Sequence, residues 1–187
     1  MIFNHQIMFH SSVPVIGLVA FSGTGKTTLL TKMIPGLKKH NLRIALIKHS
    51  HHNFDIDQPG KDSFRLRAAG ASPVVLVSPY RRVVITEFTE HNEPRLDEQL
   101  AAIDQTQVDI ILVEGFKQTH YPKIELHRTS LDKPLLYPDD TGIIAVASDT
   151  PLDLPKHLTA LDINNPAECI NFVLQFIQSF QASQSIF

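Results

Sequence analysis

The chain has 187 residues, of which 43% are hydrophobic and 19% are charged. This length and composition fit one folded domain and exclude a disordered tail or a core that depends on disulfides. The net charge of −2 disfavours a general binder of nucleic acids or anionic membranes. A single cysteine, Cys169, together with the lack of a long apolar run or a secretory signal, predicts a cytoplasmic protein.

Apolar runs of strand length alternate with segments of helical periodicity along the chain. This alternation predicts a three-layer α/β fold with a mostly parallel central sheet. The predicted strands cover 15–20, 43–47, 73–77, 82–86, 108–113, 123–127 and 142–147, and the predicted helices cover 26–40, 61–69, 94–103 and 165–180.

The turn after the first predicted strand has the spacing of a phosphate-binding loop. Its backbone N–H groups and the helix N-terminus that follows can surround phosphate oxygens, Lys26 can bridge the terminal phosphates, and the Thr27 hydroxyl can bind Mg²⁺. We therefore predict a P-loop nucleotide-binding domain over residues 13–187, after an N-terminal extension over residues 1–12. The predicted phosphate contacts are Ser22, Gly23, Thr24, Gly25, Lys26, Thr27 and Thr28.

The second signal, after the phosphate-binding turn, is a carboxylate at the end of the apolar run 108–113. Glu114 follows this run directly, and an apolar strand that ends in a carboxylate is the usual partner of a P-loop. We predict that Glu114 lies near the Mg²⁺ and, with Lys26, forms the catalytic pair.

The segment from Lys48 to His52 carries three histidines and follows the second predicted strand. Ligands in open α/β sheets bind at the carboxyl edge, where this segment should lie. Three interpretations stay open: a switch that senses the terminal phosphate, a transition-metal site, or a solvated loop. On the first, Lys48 and His49 contact the nucleotide and Asp57 is a Mg²⁺-linked carboxylate.

Asp149 follows a late predicted strand. A carboxylate there can accept hydrogen bonds from the N1–H and N2 amino group of guanine, which adenine does not offer. We predict Asp149 as the residue that recognises the base, while a simple turn before Pro151 is the alternative.

Taken together, these segments resemble the MobB family of molybdopterin-guanine dinucleotide biosynthesis adaptor proteins. The resemblance runs from about Val15 to Phe176 and is most specific in the histidine segment and in the Pro-Gly-Lys-Asp-Ser sequence that follows it. The matching segments are Phe21–Thr28, Leu46–His52, Pro59–Ser63, Ala68–Ala71 and Ile111–Lys117.

The resemblance implies a homodimeric GTP- and Mg²⁺-binding protein with at most slow GTP hydrolysis. It implies that the protein assists the guanylyltransferase that joins GMP to molybdopterin and contacts molybdenum-insertion proteins, with molybdopterin itself as a candidate ligand. No nucleic-acid or membrane partner is expected. The alternatives are a metallochaperone GTPase of the nickel-loading type and a small-molecule kinase, although no lid signature of a kinase is evident.

Overall fold

The computed structural model describes residues 11–50, 54–90 and 92–184. The predicted extension over 1–12 therefore lies almost entirely outside the described residues. The chain divides into two compact units, of which the first combines the residues up to His49 with those from Arg95 onward, and the second is Ser50–Pro94.

The first unit is built on a six-stranded sheet in which every neighbouring pair is parallel. The strands are β1 (Val15–Val19), β2 (Ile44–Lys48), β5 (Ile110–Glu114), β6 (Lys123–His127), β7 (Ile143–Ser148) and β8 (Thr159–Asp162). Their order in the sheet is β2-β5-β1-β6-β7-β8. The predicted α/β class is confirmed, and β8 is a strand that the sequence pattern did not reveal.

The strands of this sheet carry apolar side chains on both faces. Helices therefore cover both faces. Ile110 and Leu112 of β5 pack with α1 (Lys26–Lys38) and α4 (Pro166–Gln184) in one core cluster. Their neighbours Ile111 and Val113 pack in a second cluster with α3 (Leu96–Ala101). The two clusters give the three layers that the alternating sequence predicts.

The second unit contains α2 (Asp62–Ala68) and an antiparallel pair, β3 (Val74–Val77) and β4 (Arg82–Ile85). The pair confirms the two strands predicted around the Ser-Pro-Tyr-Arg turn. Several large apolar side chains of this unit are exposed, including Val77 at 77% and Phe88 at 72%. None of the helices in the described ranges is long and apolar enough to cross a membrane.

The parallel sheet brings the ends of its strands to one edge. The turn after β1, the last residues of β2 and β5, and the loops after β6, β7 and β8 all lie there. Because ligands of open parallel sheets bind at this edge, we expect a functional site here.

Candidate functional site

The turn between β1 and α1 has the backbone conformation that a phosphate cradle requires. Gly23 and Gly25 have φ angles of 82° and 102°, in the left-handed region that favours glycine. A Cβ atom added to either residue would meet no heavy atom within 4 Å, so the space beside both glycines is open. Thr24 is buried and braces the turn, since its hydroxyl donates to the Phe21 carbonyl at 2.9 Å. The turn can therefore accept a phosphate at the N-terminus of α1.

Three lysines and one glutamate lie around this turn. Lys48 Nζ is 3.3 Å from Glu114 Oε2, and the two residues are paired in the β2–β5 register. Lys117 Nζ lies 5.3 Å from the centre of the Phe21 ring, in a cation–π contact that holds the ammonium beside the P-loop. Lys26 completes the set at the first position of α1. The site carries more positive than negative charge.

This surplus of positive charge acts on Lys26. Burial is the largest cause that lowers the pKa of Lys26; the cations Lys117 and Lys48 lower it further, and Glu114 opposes them. The ammonium donates to the Ala20 carbonyl at 3.4 Å. An anion in the turn would relieve this repulsion, so the electrostatics of the site favour a polyphosphate.

His49 packs against the turn that follows Glu114. Its N–H donates to the Glu114 carbonyl at 2.8 Å, and its ring stacks on Phe116 with centroids 4.7 Å apart. Gly115 has a φ of 110°, and a Cβ atom there would come within 2.7 Å of the His49 Cβ. Lys48, His49 and Glu114 thus lie together at the sheet edge, and their roles toward a nucleotide stay predictions.

Asp149 lies after β7 and is linked to the P-loop through Arg128. Arg128 Nη1 is 3.7 Å from Asp149 Oδ2, while its Nε donates to the Thr24 carbonyl at 3.1 Å. Asp149 Oδ1 accepts from the Thr129 N–H at 3.0 Å and from the Thr129 hydroxyl at 3.2 Å. The Thr129 N–H is the largest cause that lowers the pKa of Asp149, so this side chain is an ionised carboxylate.

A pocket of about 380 Å³ opens beside Asp149 at the ends of β7 and β8. A smaller groove of about 100 Å³ is lined by Gly25, Thr28, Arg128 and Asn164. Asn164 also lines the pocket, so the groove and the pocket adjoin. Together they extend from the P-loop to Asp149, as a nucleoside attached to bound phosphates would require. The remaining pocket lining includes Val146, Ser148, Leu152, Leu154 and Asp162.

Asp57 lies in the second unit, where its carboxylate is 3% exposed and is held by Arg67. Arg67 donates to the two Asp57 oxygens at 2.8 and 3.4 Å, and also pairs with Asp55 and Glu87. This network gives Asp57 a structural partner. Its role as a Mg²⁺-linked carboxylate stays a prediction.

Within the described ranges, no group of three or more His, Cys, Asp or Glu side chains could hold a metal ion. His51 and His52, on which the transition-metal interpretation depends, lie outside the described residues. Thr27 is exposed at the first turn of α1, and Glu114 is half-buried at the end of β5. Their hydroxyl and carboxylate oxygens have the chemistry that Mg²⁺ prefers.

Known proteins match this chain over most of its length. The family model described as molybdopterin guanine dinucleotide synthesis protein B, MobB, matches residues 15–149. The chain belongs to the MobB family. A molybdopterin-guanine dinucleotide biosynthesis adapter protein of Haemophilus influenzae is 40% identical over 179 residues, which are 95% of this chain and 97% of the relative. The Escherichia coli protein of the same name is 43% identical over 167 residues, or 89% and 94% of the two chains.

A solved structure of the MobB family has the same fold. The crystal structure of molybdopterin-guanine biosynthesis protein B superposes with a TM-score of 0.70 at 25% identity, over 88% of this chain and 99% of that one. A hydrogenase maturation factor, HypB of Azotobacter chroococcum, is 32% identical over 139 residues, but these are only 41% of that protein. The full-length similarity is thus to MobB proteins.

Two cations of the site, Lys117 and Arg128, were missed as site residues by the sequence prediction. Lys117 lies three residues after Glu114, inside a segment that resembles the MobB family, so its signal was present. Arg128 contacts Thr24, which is 104 positions away in the sequence. The only local signal of Arg128 is a basic side chain directly after β6. Arg128 reaches the P-loop because β6 lies next to β1 in the sheet.

Proposed function

We propose that this chain is a GTP-binding adapter that assists the formation of molybdopterin guanine dinucleotide, the role in the names of its MobB relatives. The observation that carries the proposal is a P-loop beside two cavities that share Asn164: the groove lined by Gly25 and Thr28, and the pocket lined by Asp149. The P-loop and its lysines suit a polyphosphate, and the pocket offers a carboxylate where a base would lie. The site therefore offers groups that suit both the phosphates and the base of a guanine nucleotide.

We further propose that the nucleotide binds with Mg²⁺. The Thr27 hydroxyl and the Glu114 carboxylate would hold the ion, which neutralises charge on the phosphate oxygens when bound. Lys26 would contact the terminal phosphates, and Lys48 and His49 lie where a switch segment could sense them. Because Lys48 is already paired with Glu114 at 3.3 Å, this carboxylate is a poor general base, and we expect slow GTP hydrolysis at most.

We propose a homodimer as the assembled form, with the guanylyltransferase that uses GTP and molybdenum-insertion proteins as partners. The apolar side chains exposed on the β3–β4 pair support a protein contact in the second unit. Molybdopterin is a further candidate ligand.

A cytoplasmic location suits the single buried thiol of Cys169.

The nickel-loading alternative is not favoured. The chain matches less than half of the hydrogenase maturation factor but almost all of the MobB adapter proteins. No observation in the described residues favours the kinase alternative.

Competition binding between GTP and ATP tests the proposal. We expect the wild type to prefer GTP, and Lys26→Ala to weaken GTP binding by at least about tenfold because a charged contact to phosphate is lost. Lys38→Ala, an exposed lysine in the last turn of the same helix, is the matched control and should bind as the wild type does. Equal affinity for ATP would remove the guanine assignment, and normal binding by Lys26→Ala would remove the P-loop assignment.

A further inference from the structure

We propose that Arg128 is a positioning residue that sets guanine selectivity by fixing Asp149 relative to the P-loop. The inference rests on the proposed function, because it concerns the same nucleotide site. It assigns to Arg128 no contact with the base.

The sheet order places Arg128 between the two parts that it connects. Arg128 follows β6, which lies between β1, the strand that leads into the P-loop, and β7, the strand that leads to Asp149. A side chain at this position can reach both loops, and the Arg128 side chain is 33% exposed, with one side open to the groove.

The guanidinium of Arg128 engages three separate loops. Its Nε donates to the Thr24 carbonyl at 3.1 Å, its Nη2 donates to Asn164 Oδ1 at 3.2 Å, and its Nη1 lies 3.7 Å from Asp149 Oδ2. Thr24 belongs to the P-loop, and Asn164 follows β8. The rigid fork of a guanidinium can hold three acceptors in fixed relative positions, which an ammonium cannot do.

The residue after Arg128 holds the other side of the same carboxylate. The Thr129 N–H and hydroxyl donate to Asp149 Oδ1 at 3.0 and 3.2 Å. Thr129 therefore fixes Oδ1 through two hydrogen bonds, and the charge of Arg128 attracts Oδ2 across 3.7 Å. Recognition of a base by two hydrogen bonds depends on the direction of these oxygens, because hydrogen bonds weaken steeply when they are misaligned.

The position of Asp149 should matter more for the base than for the phosphates. Inosine triphosphate lacks only the 2-amino group of GTP, so the ratio of the two affinities measures the hydrogen bond made by that group. Inorganic tripolyphosphate measures the P-loop by itself. A residue that merely stabilises the fold would weaken all three ligands alike, whereas a positioning residue for Asp149 changes the ratio.

The test compares Arg128→Gln with Arg43→Gln. Arg43 is a matched control, since it also holds a carboxylate, Asp109 at 2.8 Å, and a backbone carbonyl, that of Thr106, but away from the groove and the pocket. In Arg128→Gln we expect the GTP-to-inosine triphosphate affinity ratio to fall about tenfold, while tripolyphosphate affinity changes less than about threefold. Arg43→Gln should keep the wild-type ratio.

An unchanged ratio in Arg128→Gln, or an equal loss of affinity for all three ligands, would overturn the inference while leaving the proposed function intact. A wild type that binds ATP as tightly as GTP would instead overturn the proposed function, and the inference with it. If Arg128→Gln does not fold, Arg128→Lys replaces it; the lysine keeps the charge but cannot reach three acceptors, so the same loss of ratio is expected, and an unchanged ratio would overturn the inference.

Discussion

We expect the charge on Lys26 to control how strongly the P-loop holds a polyphosphate. Burial and the neighbouring cations lower the pKa of Lys26, so this ammonium loses its proton at lower pH than an ordinary lysine. We therefore predict that nucleotide affinity falls on the alkaline side as Lys26 deprotonates. Binding measured at a series of pH values gives the midpoint of this decline.

Two substitutions should move that midpoint in opposite directions. Glu114→Gln removes the carboxylate that raises the pKa of Lys26, so the decline should begin at lower pH. Lys117→Met removes a cation that lowers the same pKa, so the decline should begin at higher pH. A midpoint that stays in place in both variants would show that Lys26 does not control the alkaline limb.

Asp149 is the residue on which base choice should depend. Asp149→Asn is expected to weaken GTP binding by roughly ten- to a hundredfold and to improve binding of xanthosine triphosphate, whose C2 oxygen can accept from the new amide. Competition between the two nucleotides measures the change. Asp153→Asn, an exposed aspartate in the loop after β7, serves as control. If Asp149→Asn keeps the GTP preference, the base is recognised by another residue.

The sequence predicts individual site residues where their signal is local. The P-loop and Glu114 follow apolar strands directly, so a short window of sequence is enough to place them at the sheet edge. Arg128 and Asp149 lie close together only because β6 and β7 are neighbours in the sheet. No local sequence pattern predicts the order of the strands. The sequence likewise did not predict that Arg67 pairs with Asp57, because the two residues are ten positions apart, one in a loop and one in a helix.

At the level of elements, the loop from Arg128 to Gly142 is fastened to the strand that precedes it. Glu125 of β6 is 1% exposed, and its two oxygens accept from the N–H groups of Leu136 and Tyr137 at 2.7 and 2.9 Å. These bonds hold the loop over a further core cluster, against which Leu136 and Tyr137 pack and whose buried members are Val19, Ile143, Val146 and Leu158. The loop begins with Arg128, which contacts Asp149, so we expect its anchoring to support the pocket beside Asp149 as well.

We predict that Glu125→Gln destabilises the first unit by about 1–3 kcal/mol, because an amide can accept only one of the two N–H groups and leaves the other buried without a partner. Burial raises the pKa of Glu125, so its contribution to stability is present at low pH and is lost as the pH rises through that pKa. The deficit of the variant should therefore grow as the pH falls from neutral toward 4.5, the ordinary value.

Chemical denaturation at two pH values measures this difference. Glu98→Gln, at an exposed carboxylate of α3, should change stability by less than about 0.5 kcal/mol at either pH. A Glu125→Gln protein as stable as the wild type at both pH values would show that the loop does not depend on this anchor.

Most elements could be predicted because their patterns are strong. The apolar runs of β1 and β5 and the helical spacing in α1 and α4 place these elements to within a few residues. The strand β8 was missed because Thr159–Asp162 is short and only half apolar, and it becomes a strand by pairing with β7 at the sheet edge. Tertiary pairing, and not local propensity, therefore sets this element.

At the level of the whole molecule, the exposed apolar face of the β3–β4 pair is the feature that most favours contact with another protein surface. Val75 and Val77 point to one face, and Val84 lies opposite Val75 in the register. Their exposures are 55%, 77% and 54%, so this face is apolar and open to solvent in the single chain. Two-stranded pairs of this kind gain stability when a further surface covers them.

We predict that Val84→Glu weakens the proposed homodimer, because a buried carboxylate without a partner is strongly unfavourable at an interface. Sedimentation equilibrium should show a dimer for the wild type and a monomer for the variant. Ala101→Glu, which places the same charge at an exposed position of α3, should leave the dimer intact. A dimeric Val84→Glu protein would show that the interface lies elsewhere.

We propose that this chain assists the formation of molybdopterin guanine dinucleotide through its nucleotide site. The most direct measurement is the rate at which a molybdopterin guanylyltransferase forms the dinucleotide from molybdopterin and Mg²⁺·GTP, with and without this protein. We predict that the wild type raises the rate or the yield and that Lys26→Ala does not, whereas Lys38→Ala acts as the wild type. A wild type without effect, or a Lys26→Ala protein that is equally active, would contradict the claim.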